Sequence, residues 1–201
     1  NAMVGFIHYI DARFGWWDDF QTATGKALMF AGRALELDPE NSDAHLTHGF
    51  AMLLHGNYAE AASHVHRAAA LAPSSADVAS FACFCLAFAG YPVEAVVLGE
   101  RSLTLSPFSP PFYFGHLGNA YRLASQFEPA IACFRTYHQR IAGFGLVDLV
   151  LAFHETGRIE EARSAARELI AIRRDFTIAG WARTQFRADK ARFETDRAAL
   201  A

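Results

Sequence analysis

Lysine occurs only twice in this chain of 201 residues, at Lys26 and Lys190, cysteine only three times, and apolar runs stay short. None approaches the roughly 20 residues that a membrane-spanning helix requires, so no membrane partner is expected. Basic charge is also in short supply: 18 Lys and Arg stand against 21 Asp and Glu, a formal net charge of −3. A protein that neutralises phosphates needs a basic face, so nucleic acid is not an expected partner. Cys83, Cys85 and Cys133 are too few and too irregularly placed for a disulfide framework, and Cys83-Phe84-Cys85 lacks the two-residue gap of a redox or zinc pair. They read as reduced, small core residues. No charged-then-apolar leader opens the chain, and a cytoplasmic protein is expected. Asn1 and Ala2 read as a cloning remnant ahead of Met3 and are left out of the expected fold.

What the chain does have is 52% hydrophobic residues, enough for a substantial core. Its charge is uneven: residues 1 to 157 carry a net −6 and residues 158 to 201 a net +3. Solvated helix faces account for such an imbalance without a functional role.

The organising feature is a repeat. "GNYAEA" at Gly56 to Ala61 returns as "GYPVEA" at Gly90, as "SQFEPA" at Ser125 and as "GRIEEA" at Gly157. Pro39, Pro73 and Pro107 are spaced by 34 residues, and Ala27, Ala61 and Ala95 each precede them by 12. Between these marks the apolar residues fall at helical spacing; Leu46, Phe50, Leu53 and Leu54 form one such row, which Gly56 ends. Proline cannot continue a helix, so a proline every 34 residues is a periodic stop, and each unit is predicted to be a helical hairpin.

This pattern resembles the tetratricopeptide repeat family, whose 34-residue units pair a helix A with a helix B. In that register Gly15, Gly49 and Gly118 take the small position of helix A, and Tyr121 the aromatic position three residues on. Ala27, Ala61, Ala95, Ala130 and Ala162 take the small position of helix B, Phe134 its aromatic one, and the three prolines close their units. Cys83 replaces the glycine of the third unit and Gly99 its helix B aromatic, and the fourth and fifth units lack the closing proline. The resemblance implies an all-α, right-handed solenoid of about five hairpins, over 3–39, 40–73, 74–107, 108–142 and 143–175. Residues 176–201 are expected to form a C-terminal capping helix pair that covers the last hairpin's apolar face. Asp18 or Asp19, Ser75 and Asp189 are candidate helix caps.

In this family the concave surface, lined by helix A, is the usual place for an extended peptide or a partner's helix. By register, Tyr9, Trp16, Phe50, Phe84, Phe88, Phe112, Asn119, Arg122, Phe144, Leu151 and His154 are expected to point there. The resemblance therefore implies a non-catalytic scaffold for a protein or peptide partner. The alternatives are a homodimerisation module that fills its own groove and a sensor for a small ligand. The Lys, Asn and Arg clamp by which some members grip a C-terminal carboxylate is not expected, since neither lysine falls on a groove position. Nine histidines raise the question of metal binding, but neither the His45/His48 pair nor the His64/His66 pair has a carboxylate or cysteine at matching spacing, so no metal or cofactor is expected. No nucleophile with a base, phosphate-cradling glycine loop or supported carboxylate pair appears, and the chain is not expected to be an enzyme. More diffusely, the order of segments is similar to the C-terminal repeat regions of bacterial regulators that follow a nucleotide cyclase or winged-helix domain.

Overall fold

The computed structural model describes residues 1–201, and the chain is helical throughout. Ten helices form five antiparallel hairpins: α1 (Ala2–Phe14) with α2 (Phe20–Leu37), α3 (Ser42–Leu54) with α4 (Tyr58–Leu71), α5 (Ala76–Ala89) with α6 (Pro92–Leu105), α7 (Phe112–Leu123) with α8 (Phe127–Arg140), and α9 (Leu146–Glu155) with α10 (Ile159–Ile172). Two short helices, α11 (Ile178–Arg183) and α12 (Lys190–Ala199), follow. The expected caps form: Asp19 accepts from Thr22 N, Ser75 from Val78 N and Asp189 from Arg192 N.

The recurring turn has a backbone cause. Gly56, Gly90, Ser125 and Gly157 all have positive φ, at 78°, 99°, 60° and 72°. That left-handed residue lets the next amide fold back five residues to a helix A carbonyl: Asn57 N to Met52 O, Tyr91 N to Leu86 O, Gln126 N to Tyr121 O and Arg158 N to Phe153 O. Helix A is thereby ended in the same way in these four units, and helix B returns along it.

Small residues then let the two helices touch. A Cβ added at Gly49 would lie 2.8 Å from Val65 Cγ1, and one at Gly118 would lie 2.5 Å from Phe134 Cε1. The third unit keeps the same pair with its sizes exchanged. Cys83 stands at the glycine position and Gly99 opposite, where a Cβ would lie 2.8 Å from Cys83 Sγ. The departures noted in the sequence compensate one another.

The first unit breaks the 34-residue register. Gly15 is not a helix A contact; it ends α1 in the left-handed region at φ 65°, with open space around it. Gly5 makes the close approach instead, where a Cβ would meet Ala27 O at 3.1 Å, as one at Gly49 would meet Ala61 O at 3.0 Å. Gly5 stands 22 residues before Ala27 and Gly49 only 12 before Ala61, so the first hairpin holds ten more residues. Asp11 organises the excess: its buried carboxylate accepts from the Trp16, Trp17 and Asp18 amides at 3.0, 2.7 and 3.1 Å. Burial alone would raise the Asp11 pKa, but these three donors hold it below the usual carboxylate range.

Consecutive A helices pack directly from α1 through α3 and α5 to α7, and one core runs through these units. The packing weakens between α7 and α9, and a second core gathers α8, α9 and α10. Into the gap comes the C-terminal segment.

Candidate functional site: the concave face

The true register places Phe6, Phe50, Phe84 and Asn119 on one row across the A helices, each following its close-approach position. A second row, two residues before that position, holds Met3, Thr47, Phe81 and His116. These rows divide the concave face into two halves with different fates.

Toward the start of the A helices the face is open. A hollow of about 400 Å³ lies between α1, α3 and α5, walled by Met3, Phe6, Leu46, Val78 and Phe81, floored by Phe50 and rimmed by Asp43 and Asp77. Phe81 carries the aromatic surface onward, with ring centroids 5.6 Å from Phe6, 5.5 Å from Phe112 and 5.6 Å from His116. Tyr113 Oη donates to Asp77 at 2.6 Å, which fixes that side of the rim. Burial, with the Arg13 guanidinium nearby, holds the His116 pKa down to about 3, so this part of the wall is uncharged at neutral pH.

Toward the A–B turns the face is occupied by the chain's own C-terminus. Residues 185–189 cross it without helical structure. Ala188 N donates to Phe88 O at 2.8 Å, and Tyr58 Oη donates to Arg187 O at 2.9 Å. Phe186 stacks on Phe20 at 5.8 Å and lies over Tyr9, Leu53, Phe84 and Phe88. Helix α12 then fills the space between α7 and α9. Its Asp196 takes a two-pronged bond from Arg122, at 3.0 and 2.7 Å, and a third from Arg187 at 2.5 Å. Arg122 also reaches Glu155 at 3.2 Å, and Arg192 donates to Glu155 at 2.5 Å and to the Arg122 carbonyl at 2.8 Å. Burial disfavours charge on Arg122 and Asp196 alike, but their mutual contact outweighs it. The Arg122 pKa is raised and the Asp196 carboxyl is held below its usual range. Asp148, half-buried beside them, is pushed up by its desolvation.

The positions expected from the sequence scatter over these surroundings. Tyr9, Phe50, Phe84, Phe88 and Leu151 are between 1% and 7% exposed. Their side chains are packed into the body of the solenoid, and Phe186 of the C-terminal segment lies beside Tyr9, Phe84 and Phe88. Arg122 is 0% exposed and committed to Asp196. Trp16, 58% exposed, lies on the α1–α2 turn and off the concave face, since the ten extra residues of the first unit shift its register. Phe112 and Asn119 are half-buried on the concave side, and Phe144 and His154 are exposed near the last hairpin. Phe6 and Phe81, not singled out from the sequence, line the open hollow; a register anchored on Gly5 in place of Gly15 would have found Phe6.

No family model matches the chain, and no curated protein sequence matches it. Solved structures do. The chain superimposes on PilW, described as a widely conserved type IV pilus biogenesis factor, with a TM-score of 0.73 and 15% identity over 99% of this chain and 88% of that one. MamA gives a TM-score of 0.60 at 17% identity over 78% of this chain and 95% of that one. YrrB, described as a TPR protein with an unusual peptide-binding site, gives 0.59 at 18% identity over 77% and 80%. At these identities the likeness concerns the fold alone, and that fold is a right-handed tetratricopeptide-type solenoid of five hairpins closed by a C-terminal helix pair.

Proposed function

We propose that this protein is a non-catalytic interaction scaffold that takes an extended, largely apolar peptide segment along the open half of its concave face. The observation that carries this reading is the run of partly accessible, touching rings Phe6, Phe81 and Phe112, held on three helices beside a hollow of about 400 Å³. Rigid aromatic anchors around a concave surface supply most of the binding energy in such interfaces. Asn119, Phe144 and His154 extend the contact surface toward the last hairpins, and Asp43 and Asp77 favour a basic group at the near rim. The peptide-binding site named for YrrB supports the same use of the fold. Within a larger signalling protein, cytoplasmic and joined to a cyclase or winged-helix domain as the order of its segments suggests, such a module would couple partner capture to an output domain.

Selection of peptides from a displayed random library tests the reading. Peptides enriched on the native protein should lose at least tenfold affinity for Phe81→Glu, about 1.4 kcal/mol or more, while the variant keeps its helical circular dichroism. Library peptides that bind Phe81→Glu as well as the native protein would refute it.

A second reading, self-association, is favoured by the outer face of α1, where Val4, Ile7 and Phe14 are 40%, 47% and 48% exposed next to Trp17 at 72%. A solenoid's terminal helix normally carries a polar outer face. Solution mass separates the two readings: a monomer excludes this one and leaves the first intact.

A further inference from the structure

His45 and His48 stand one turn apart on α3, and Glu60 and His64 stand one turn apart on α4. The hairpin brings the two pairs together. His45 Nδ1 and His64 Nδ1 lie 3.0 Å apart, and the His48 and His64 rings stack with centroids at 4.1 Å. His48 Nε2 lies 3.9 Å from Glu60 Oε1. One ligand atom from each of His48, Glu60 and His64 falls within 4.8 Å of the other two. Spacing within a single helix hid this set: the carboxylate that completes it sits four residues before His64, across the hairpin from His48.

The protons in the cluster can be placed. His45 Nε2 lies 3.1 Å from the Pro39 carbonyl oxygen, which only accepts, so Nε2 carries the hydrogen of the neutral ring. His45 Nδ1 is then an acceptor, and His64 Nδ1–H must donate to it. That leaves a free lone pair on His64 Nε2. His48 Nδ1 is buried and has no hydrogen-bond partner, and Glu60 forms no ion pair except with His48. His48 Nδ1 and His64 Nε2 are thus both without a protein partner and can offer a lone pair to a metal ion.

We propose that His48, Glu60 and His64 form a binding site for a divalent transition-metal ion of the zinc class, with His45 as the residue that orients His64. Two imidazoles and one carboxylate suit zinc and its neighbours, whereas magnesium and calcium prefer all-oxygen sets. Ligand atoms about 2.0–2.1 Å from a tetrahedral ion lie about 3.3 Å from one another, so the present separations need only modest closure. Because the His48 and His64 rings are stacked, capture of the ion turns one of them about χ2 until both lone pairs converge. The relay from His64 Nδ1–H through His45 to the Pro39 carbonyl is the outer support that metal-bound histidines normally have, here supplied by a third imidazole. Three protein ligands leave a fourth position for water or for a side chain of a partner.

The test uses the full chain, treated with a chelator and dialysed. Cobalt(II) should bind with one-to-one stoichiometry and give the visible absorption of a tetrahedral site, and zinc should displace it. Free zinc at 100 times its dissociation constant should raise the melting temperature by about 5–10 °C. Glu60→Gln and His64→Gln should each weaken binding more than about 100-fold, and His45→Phe by about 10- to 100-fold. His66→Gln, whose imidazole instead pairs with Glu94, should bind as the native protein does. Absence of the cobalt spectrum, or native affinity in Glu60→Gln, overturns the proposal. Glu60 is half exposed, so its amide variant should retain the native fold and decide the matter on its own.

Discussion

Replacing Asp196 by alanine should release the C-terminal segment from the solenoid without unfolding the solenoid itself. Asp196 is 2% exposed and accepts three bonds from two arginines, Arg122 at 0% and Arg187 at 2%. Its loss leaves two buried guanidiniums facing each other, with Glu155 and the destabilised Asp148 as the remaining counter-charges. Breaking a buried pair from one side costs about 3–5 kcal/mol, far more than the pair's net worth, because the stranded charge has no water. The hairpins do not have to bear that cost. Their core is closed by contacts between neighbouring repeats, whereas the segment from Thr177 to Leu200 can lift away and take Arg187 into solvent. Its opening equilibrium should therefore rise about 10²- to 10⁴-fold. Amide hydrogen exchange read by mass spectrometry checks this: protection should vanish over residues 177–200 and persist over α3 to α6. Trypsin should also cut faster at Arg183 and Arg187. Native protection over 177–200 in the variant would refute the view that Asp196 latches the segment, and equal loss of protection in α3 to α6 would refute the separation of the two.

Two further expectations concern single positions. Ser125 is the one residue other than glycine with positive φ and occupies the turn position that glycine holds in three other units, so Ser125→Gly should stabilise the protein by about 0.5–1 kcal/mol in urea unfolding; a loss of stability would show that the serine side chain has a compensating role. His116 is held neutral by burial, with Arg13 adding to the effect and the Ser80 carbonyl opposing it, and its folded pKa of about 3 lies below its unfolded value of about 6.5. Between those values the unfolded chain binds the extra proton, so stability falls as pH falls, by about 2 kcal/mol from this group between pH 7 and pH 5. His116→Gln should remove that part of the slope, and an unchanged slope would sink the assignment.

How much of this was legible in the sequence follows from what a period can report. Ala61, Ala95 and Ala130 recur because each helix B meets its own helix A and the next, and such contacts lie within one or two repeats. The middle units were therefore readable down to the glycine that faces Phe134. The Cys83 and Gly99 departures looked like two losses and are one exchange, visible only when the residues are seen to touch. In the first unit the alanine spacing stayed regular while ten residues entered the turn. A register carried back from Ala27 then fell on Gly15 and Trp16, although Gly5 and Phe6 make the contacts.

The occupied half of the groove was beyond the reach of periodicity for a different reason. Tyr58 and Arg187 are 129 positions apart and Arg122 and Asp196 are 74 apart, and neither pair belongs to the repeat. Repetition encodes how neighbours stack; it is silent on where a non-repeating tail comes to rest. Yet the tail decides which aromatics are available. Phe84 and Phe88 read as groove residues by register and are roofed over by Phe186 and the Arg187 guanidinium, 5.4 Å from the Phe88 ring, while Phe81, three residues earlier on the same helix, faces the open hollow. The accessible concave surface of this solenoid is thus set jointly by a repeated pattern, which the sequence spells out, and by a unique segment that covers part of it.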